Sequence, residues 1–232
     1  MPGSVTYVLW PLTLLAQVLV VVCSLRGHSF RKYLALNLYM LSSFFAAILR
    51  FSILSQYGFS SKEYFYFYYY SEALLTVCLF FGLISLYTNV LTELKAERLV
   101  HLAATLLLIG TALFSYLVIR QSANKMLTHF VVEMSQNLYF VGLVLTYVLW
   151  GAIMKLRETR TRLIQLVLST GLYFSAFAAI YALRNLYPSL HAIWGYLPPL
   201  IALALPVAWA YAFWRVPEEA RLAPARLAVV PR

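Results

Sequence analysis

The chain has 232 residues, of which 62% are hydrophobic and 11% charged. A soluble domain carries about a quarter charged residues, so this composition excludes one. The net charge of +10 therefore has no water-exposed surface on which to form a nucleic-acid interface. Apolar stretches of about 20 residues recur instead, each long enough to cross a hydrocarbon core of about 30 Å.

These stretches predict an all-α, polytopic membrane protein. Seven transmembrane helices form one domain over residues 1–215, and residues 216–232 form a flexible cytoplasmic tail. The first helix is expected over Thr6–Leu25. Its leader, MPGSV, has no positive charge and its apolar run has full membrane length, so it reads as an uncleaved helix and not a signal peptide. Arg26, Arg31 and Lys32 follow it. The second helix, Tyr33–Leu54, carries Arg50 about one turn from its end.

The third helix is expected over Phe67–Leu91, and the chain enters it through SKEYFYFYYYSEALL. Tyr64 to Tyr70 is an unbroken aromatic run, and Glu72 lies just beyond it. Tyr68 and Tyr69 precede Glu72 by four and three residues and so share its helix face. One face of the run anchors at the membrane–water interface, where Tyr and Trp concentrate. The other lines a vestibule above the carboxylate. Rings beside a carboxylate suit a cationic or aromatic ligand; shielding of the charge is the alternative use.

Lys95 and Arg98 precede the fourth helix, Leu99–Ile119. The fifth, Leu127–Met154, contains HFVVEMSQN. His129, Glu133, Gln136 and Asn137 fall at i, i+4, i+7 and i+8 and make one polar stripe. Lipid cannot satisfy such a stripe, so it faces the bundle interior or a wet cavity. It is either a ligand or proton site or an interhelical hydrogen-bond ladder. His129 and Glu133 also have a spacing that can present two metal ligands, with His191 as a third. The set is scattered, and no metal or other cofactor is expected.

Lys155, Arg157, Arg160 and Arg162 precede the sixth helix, Leu163–Leu183. Gly171, Ser175 and Ala179 form a small-residue stripe on it, which lets a neighbouring helix approach closely. Arg184 closes it. The seventh helix, Ile193–Trp214, has Pro198 and Pro199 in its opening turn and Pro206 deep inside, where a kink is expected. Arg215, Arg221, Arg226 and Arg232 follow. Cys23 and Cys78 lie at different depths, which argues against a disulfide.

Lys and Arg concentrate on cytoplasmic loops. Their distribution here places the N-terminus outside and the C-terminus in the cytoplasm, with the basic excess also meeting anionic lipid. In that orientation Arg50, Glu72, Glu133 and Arg184 all fall in the outer half of the bilayer. A charged side chain at mid-membrane costs at least about 2.5–3.5 kcal/mol, so two Glu and two Arg at similar depth invite pairing. The candidate ligand site is Arg50, Tyr68, Tyr69, Glu72, His129, Glu133, Gln136, Asn137 and Arg184. The basic loop Lys155–Arg162 is the natural surface for a cytoplasmic protein partner. An enzyme is not expected: the chain has no Asp, no GxSxG, no HExxH and no phosphate-cradling glycine loop.

The segments RKYLALNLYM, YFYFYYYSEALL and KLRETRTRLIQLVL resemble a group of bacterial seven-helix membrane proteins of unassigned activity. Members share an aromatic run, a polar residue and Ala-Leu at the start of helix 3, and an Arg-rich loop between helices 5 and 6. Tyr64–Tyr70, Ala73, Leu74 and Arg157–Arg162 match; Tyr69 stands where the group usually has Trp. The resemblance implies the seven-helix fold and a bacterial inner membrane. The layout is also similar to the seven-helix sensing regions of bacterial histidine kinases, without their output domain. The leading expectation is a receptor-like or accessory module for a periplasmic or outer-leaflet ligand, working through a separate cytoplasmic partner. A small-solute or proton-coupled transporter is the alternative. It is motivated by FAAI at Phe45–Ile48 and again at Phe177–Ile180, which suits a 3+1+3 helix repeat. A membrane scaffold whose charges only fix packing is the third reading.

Overall fold

Each predicted apolar run becomes one helix in the computed structural model, which describes residues 4–91, 97–120, 126–156, 160–187, 189 and 191–218. Among them the helices are α1 (Ser4–Arg26), α2 (Leu34–Tyr57), α3 (Lys62–Leu91), α4 (Glu97–Arg120), α5 (Met126–Leu156), α6 (Thr161–Leu186) and α7 (His191–Arg215). All seven are long and apolar enough to cross a membrane. No strand occurs among the described residues.

The ends of the helices follow local chemistry. α3 starts five residues before the expected Phe67 because Ser61 caps it: the Ser61 hydroxyl accepts the Tyr64 N–H at 3.1 Å. Glu63 in the first turn suits the positive end of the helix dipole. The aromatic run is therefore wholly helical. α1 ends in a tight turn, with Gly27 N–H on the Cys23 carbonyl at 2.9 Å and Ser29 N–H on the Ser24 carbonyl at 3.0 Å. His28 takes the left-handed conformation there, φ 52°. α2 stops at Gly58, whose φ of 81° is open to glycine at little cost. The 31 residues of α5 span about 46 Å at 1.5 Å per residue, more than a hydrocarbon core needs.

Consecutive helices pack side by side, and α7 returns to α1 to close a ring. α3 leans inward and touches α5 and α6 as well as its sequence neighbours. α4 stays at the perimeter, against α5 and α3. The centre is filled: Trp209, Tyr139, Phe80, Phe174, Leu83 and Leu138 are fully buried. Leu15, Phe45, Leu74, Tyr147, Leu172 and Leu186 point outward and are exposed. In water so continuous an apolar surface would be anomalous; in a bilayer it is the lipid-facing side.

α5 and α6 approach closely through glycine. A Cβ on Gly171 would lie 2.4 Å from the Thr146 methyl, and one on Gly142 would lie 2.3 Å from the Phe174 ring. The small-residue stripe thus works at Gly171, whereas Ala179 is exposed. α7 runs as one helix through Pro198, Pro199 and Pro206, and Pro206 is buried.

The basic end of the bundle, where α1, α3, α5 and α7 finish, departs from expectation. Arg162 was expected in a loop open to a partner, but it is buried. Its Nε and Nη2 donate to the Val216 carbonyl at 3.0 and 2.8 Å, and its Nη1 donates to Ser29 Oγ at 2.6 Å and to Glu218 Oε2 at 2.7 Å. Val216 and Glu218, the start of the expected tail, are consequently pinned to the bundle. The physical reason lies at the end of α7: carbonyls there have no helical partner, and the guanidinium satisfies that of Val216, just past Arg215. Arg157 and the tail beyond Glu218 lie outside the described residues.

Candidate functional site

Arg50 sits two turns before the Gly58 stop of α2, and Glu72 lies ten residues into α3. The two helices form a hairpin, so these positions meet across it. Arg50 Nη2 donates to Glu72 Oε2 at 3.1 Å. Its Nε donates to Ser71 Oγ at 2.8 Å, and its Nη2 also reaches the Tyr68 carbonyl at 3.3 Å. The guanidinium lies over the Tyr68 ring, 4.5 Å from its centre, a cation–π arrangement. The second carboxylate oxygen, Oε1, accepts the Tyr139 hydroxyl from α5 at 3.3 Å. Thr76 Oγ1 donates to the Glu72 carbonyl at 2.9 Å and holds this turn of α3.

The pair is not sealed. The Arg50 and Glu72 side chains keep 14% and 21% of their accessible surface, and Tyr68 is exposed at its rim. Behind the pair stands an aromatic wall. Tyr139 stacks on Phe177 of α6 with centres 4.9 Å apart and packs on Tyr173 and Tyr181. The wall covers the Tyr139 side of the pair, and the Tyr68 ring keeps exposed surface. The Glu72 carboxylate and the Tyr68 ring together hold one guanidinium, which the chain itself supplies.

The structure brings Arg50, Tyr68 and Glu72 together. Tyr69 packs on Phe65 and Tyr68, one step from the pair. Glu133 and Gln136 make no ion pair or hydrogen bond among the described residues, and the side chain of His129 lies outside them. Asn137 Nδ2 donates to Ser115 Oγ of α4 at 3.0 Å, which is the ladder use of the stripe. Arg184 is exposed in the last turn of α6 and makes no ion pair or hydrogen bond with Arg50, Tyr68 or Glu72 among the described residues. Sequence reasoning missed Ser71 and Tyr139. Tyr139 is three residues beyond Gln136 and so extends the polar stripe of α5 by one turn; that spacing was the available signal.

No protein-family model, no curated protein and no solved structure matches this chain.

Proposed function

We propose that this chain is a non-catalytic, receptor-like or accessory module of a bacterial inner membrane, with its N-terminus outside and its C-terminus in the cytoplasm. It recognises a small cationic ligand from the periplasm or outer leaflet and acts through a separate cytoplasmic partner. The observation that carries the reading is the Arg50–Glu72 pair under the Tyr68 ring, partly open and backed by Tyr139. A ligand ammonium or guanidinium competes with Arg50 for the carboxylate and the ring. The filled centre of the bundle supports recognition over passage of a solute.

The test is ligand-induced thermal stabilisation of the whole chain in nanodiscs, screened with organic cations. Glu72→Gln abolishes the shift while the protein stays inserted; a shift that survives Glu72→Gln removes the carboxylate from the site. The buried Pro206 in α7 favours transport as the second reading, because a proline frees the carbonyl four residues earlier and leaves a hinge point. Flux of the same cations into proteoliposomes holding only this chain would establish it.

A further inference from the structure

At the basic end, one carboxylate is held by a ring of donors. Glu218 Oε2 accepts Arg162 Nη1 at 2.7 Å. Glu218 Oε1 accepts the Tyr33 hydroxyl at 3.0 Å and also pairs with the Lys32 ammonium. The donors come from two elements: Lys32 and Tyr33 immediately precede α2, and Arg162 is the second residue of α6. The carboxylate thus sits where the starts of α2 and α6 converge. The N-terminus of a helix favours an anion, and two such ends meet here together with two full cations. Two positive side chains face one negative one, so the cluster keeps an excess positive charge. Arg162 is anchored by its bonds to the Val216 carbonyl and Ser29 Oγ, so its guanidinium is held in place independently of Glu218. Lys32 and Glu218 retain 40% and 30% of their side-chain surface, so the cluster opens outward. Exposed Arg26, Arg31 and Arg215 lie at the same end.

We infer that Arg162, Lys32 and Tyr33 form an anion receptor that takes a phosphate group, and that Glu218 is its occupant in cis. Guanidinium and ammonium donors with a hydroxyl match phosphate oxygens as well as a carboxylate. A phosphate carries more charge than Glu218 and meets the excess positive charge that Glu218 leaves. Displacing the carboxylate releases Glu218 from Lys32 and Tyr33 at the start of α2, while Arg162 keeps its bonds to the Val216 carbonyl at the end of α7.

The test uses the full chain in nanodiscs of neutral phosphatidylcholine, with Glu218→Gln as the variant. Inorganic phosphate is titrated while thermal unfolding is followed. In parallel, nanodiscs containing phosphatidylglycerol are compared, and lipid retained on the released protein is read by native mass spectrometry. The variant is expected to bind about tenfold tighter than the unaltered chain, and Lys32→Gln with Tyr33→Phe in the same background to lose that gain. A rise in the unfolding midpoint with inorganic phosphate alone identifies the free ion. A rise and retention confined to phosphatidylglycerol identify a lipid headgroup. A variant that folds only when one of these anions is supplied supports the same conclusion. A variant that responds to neither, or that fails to fold under all three conditions, shows that no external anion replaces Glu218 and overturns the proposal.

Discussion

Glu72 is the residue on which the candidate site turns. Removing its charge leaves the Arg50 cation with Ser71, a carbonyl and the Tyr68 ring as partners, whereas removing both charges leaves no unpaired charge and only the Tyr139 hydroxyl without its acceptor. Glu72→Gln is therefore expected to destabilise the bundle by about 1–3 kcal/mol, and Arg50→Met with Glu72→Met to recover most of that loss. Unfolding in nanodiscs measures both; a double variant no better than the single one would mean that the pair itself stabilises. Glu218, at the basic end of the bundle, answers to pH. Burial pushes its carboxyl up, but the hydrogen bond and charge of Lys32, the Tyr33 hydroxyl and the Arg162 charge outweigh burial and hold it below the usual value. Its folded pKa is depressed, so its contribution is complete above the unfolded value of about 4.3 and is lost as pH falls through the folded value. Stability is expected to lose a component below about pH 4 that Glu218→Gln lacks. Equal acid profiles for the two proteins would assign the loss to other carboxylates. The pairing of Arg50 with Glu72 was legible from depth, and Tyr68 from its i−4 position. Arg162 was not, because a cation following a basic loop looks the same in sequence whether it faces water or caps a helix end.

At the scale of elements, hydrophobic runs account for all seven helices, and local capping set the start of α3 and the ends of α1 and α2. Ser61 was readable as a cap, three residues ahead of Tyr64, whereas the aromatic run signals only the membrane interface. The close approach of α5 and α6 is the element-level feature with the sharpest consequence. Gly171→Ala places a methyl 2.4 Å from the Thr146 methyl, too near for either to keep its place. A destabilisation of about 1–3 kcal/mol is expected. Thr146→Ser removes the opposing methyl and keeps the hydroxyl that donates to the Gly142 carbonyl at 2.6 Å. The pair of substitutions should therefore recover stability in the same nanodisc unfolding assay. If Thr146→Ser gives no rescue, the helices separate as rigid bodies and the local clash is not what limits them.

At the scale of the molecule, the proposed orientation rests on charge that remains after the internal contacts are set aside. Lys32 and Arg162 are engaged with Glu218, yet Arg26, Arg31, Arg98, Lys155 and Arg215 are still exposed at one end, against Lys62 and Arg184 at the other. Positive loops favour the cytoplasm; in the proposed orientation the clasp around Glu218 faces inward and the Arg50–Glu72 pair faces outward. The two carboxylate clusters then lie toward opposite leaflets, and α2 is common to both: Arg50 near its end, Tyr33 at its start. A cation drawn to Glu72 and a phosphate drawn to Arg162 would approach from different sides of the membrane and act on one helix. With Cys23→Ser and Cys78→Ala as background, a membrane-impermeant maleimide should label Lys62→Cys in intact cells and label Arg31→Cys only after permeabilisation. The reverse pattern would place the Glu72 pair on the cytoplasmic side and turn the proposed ligand into an intracellular cation.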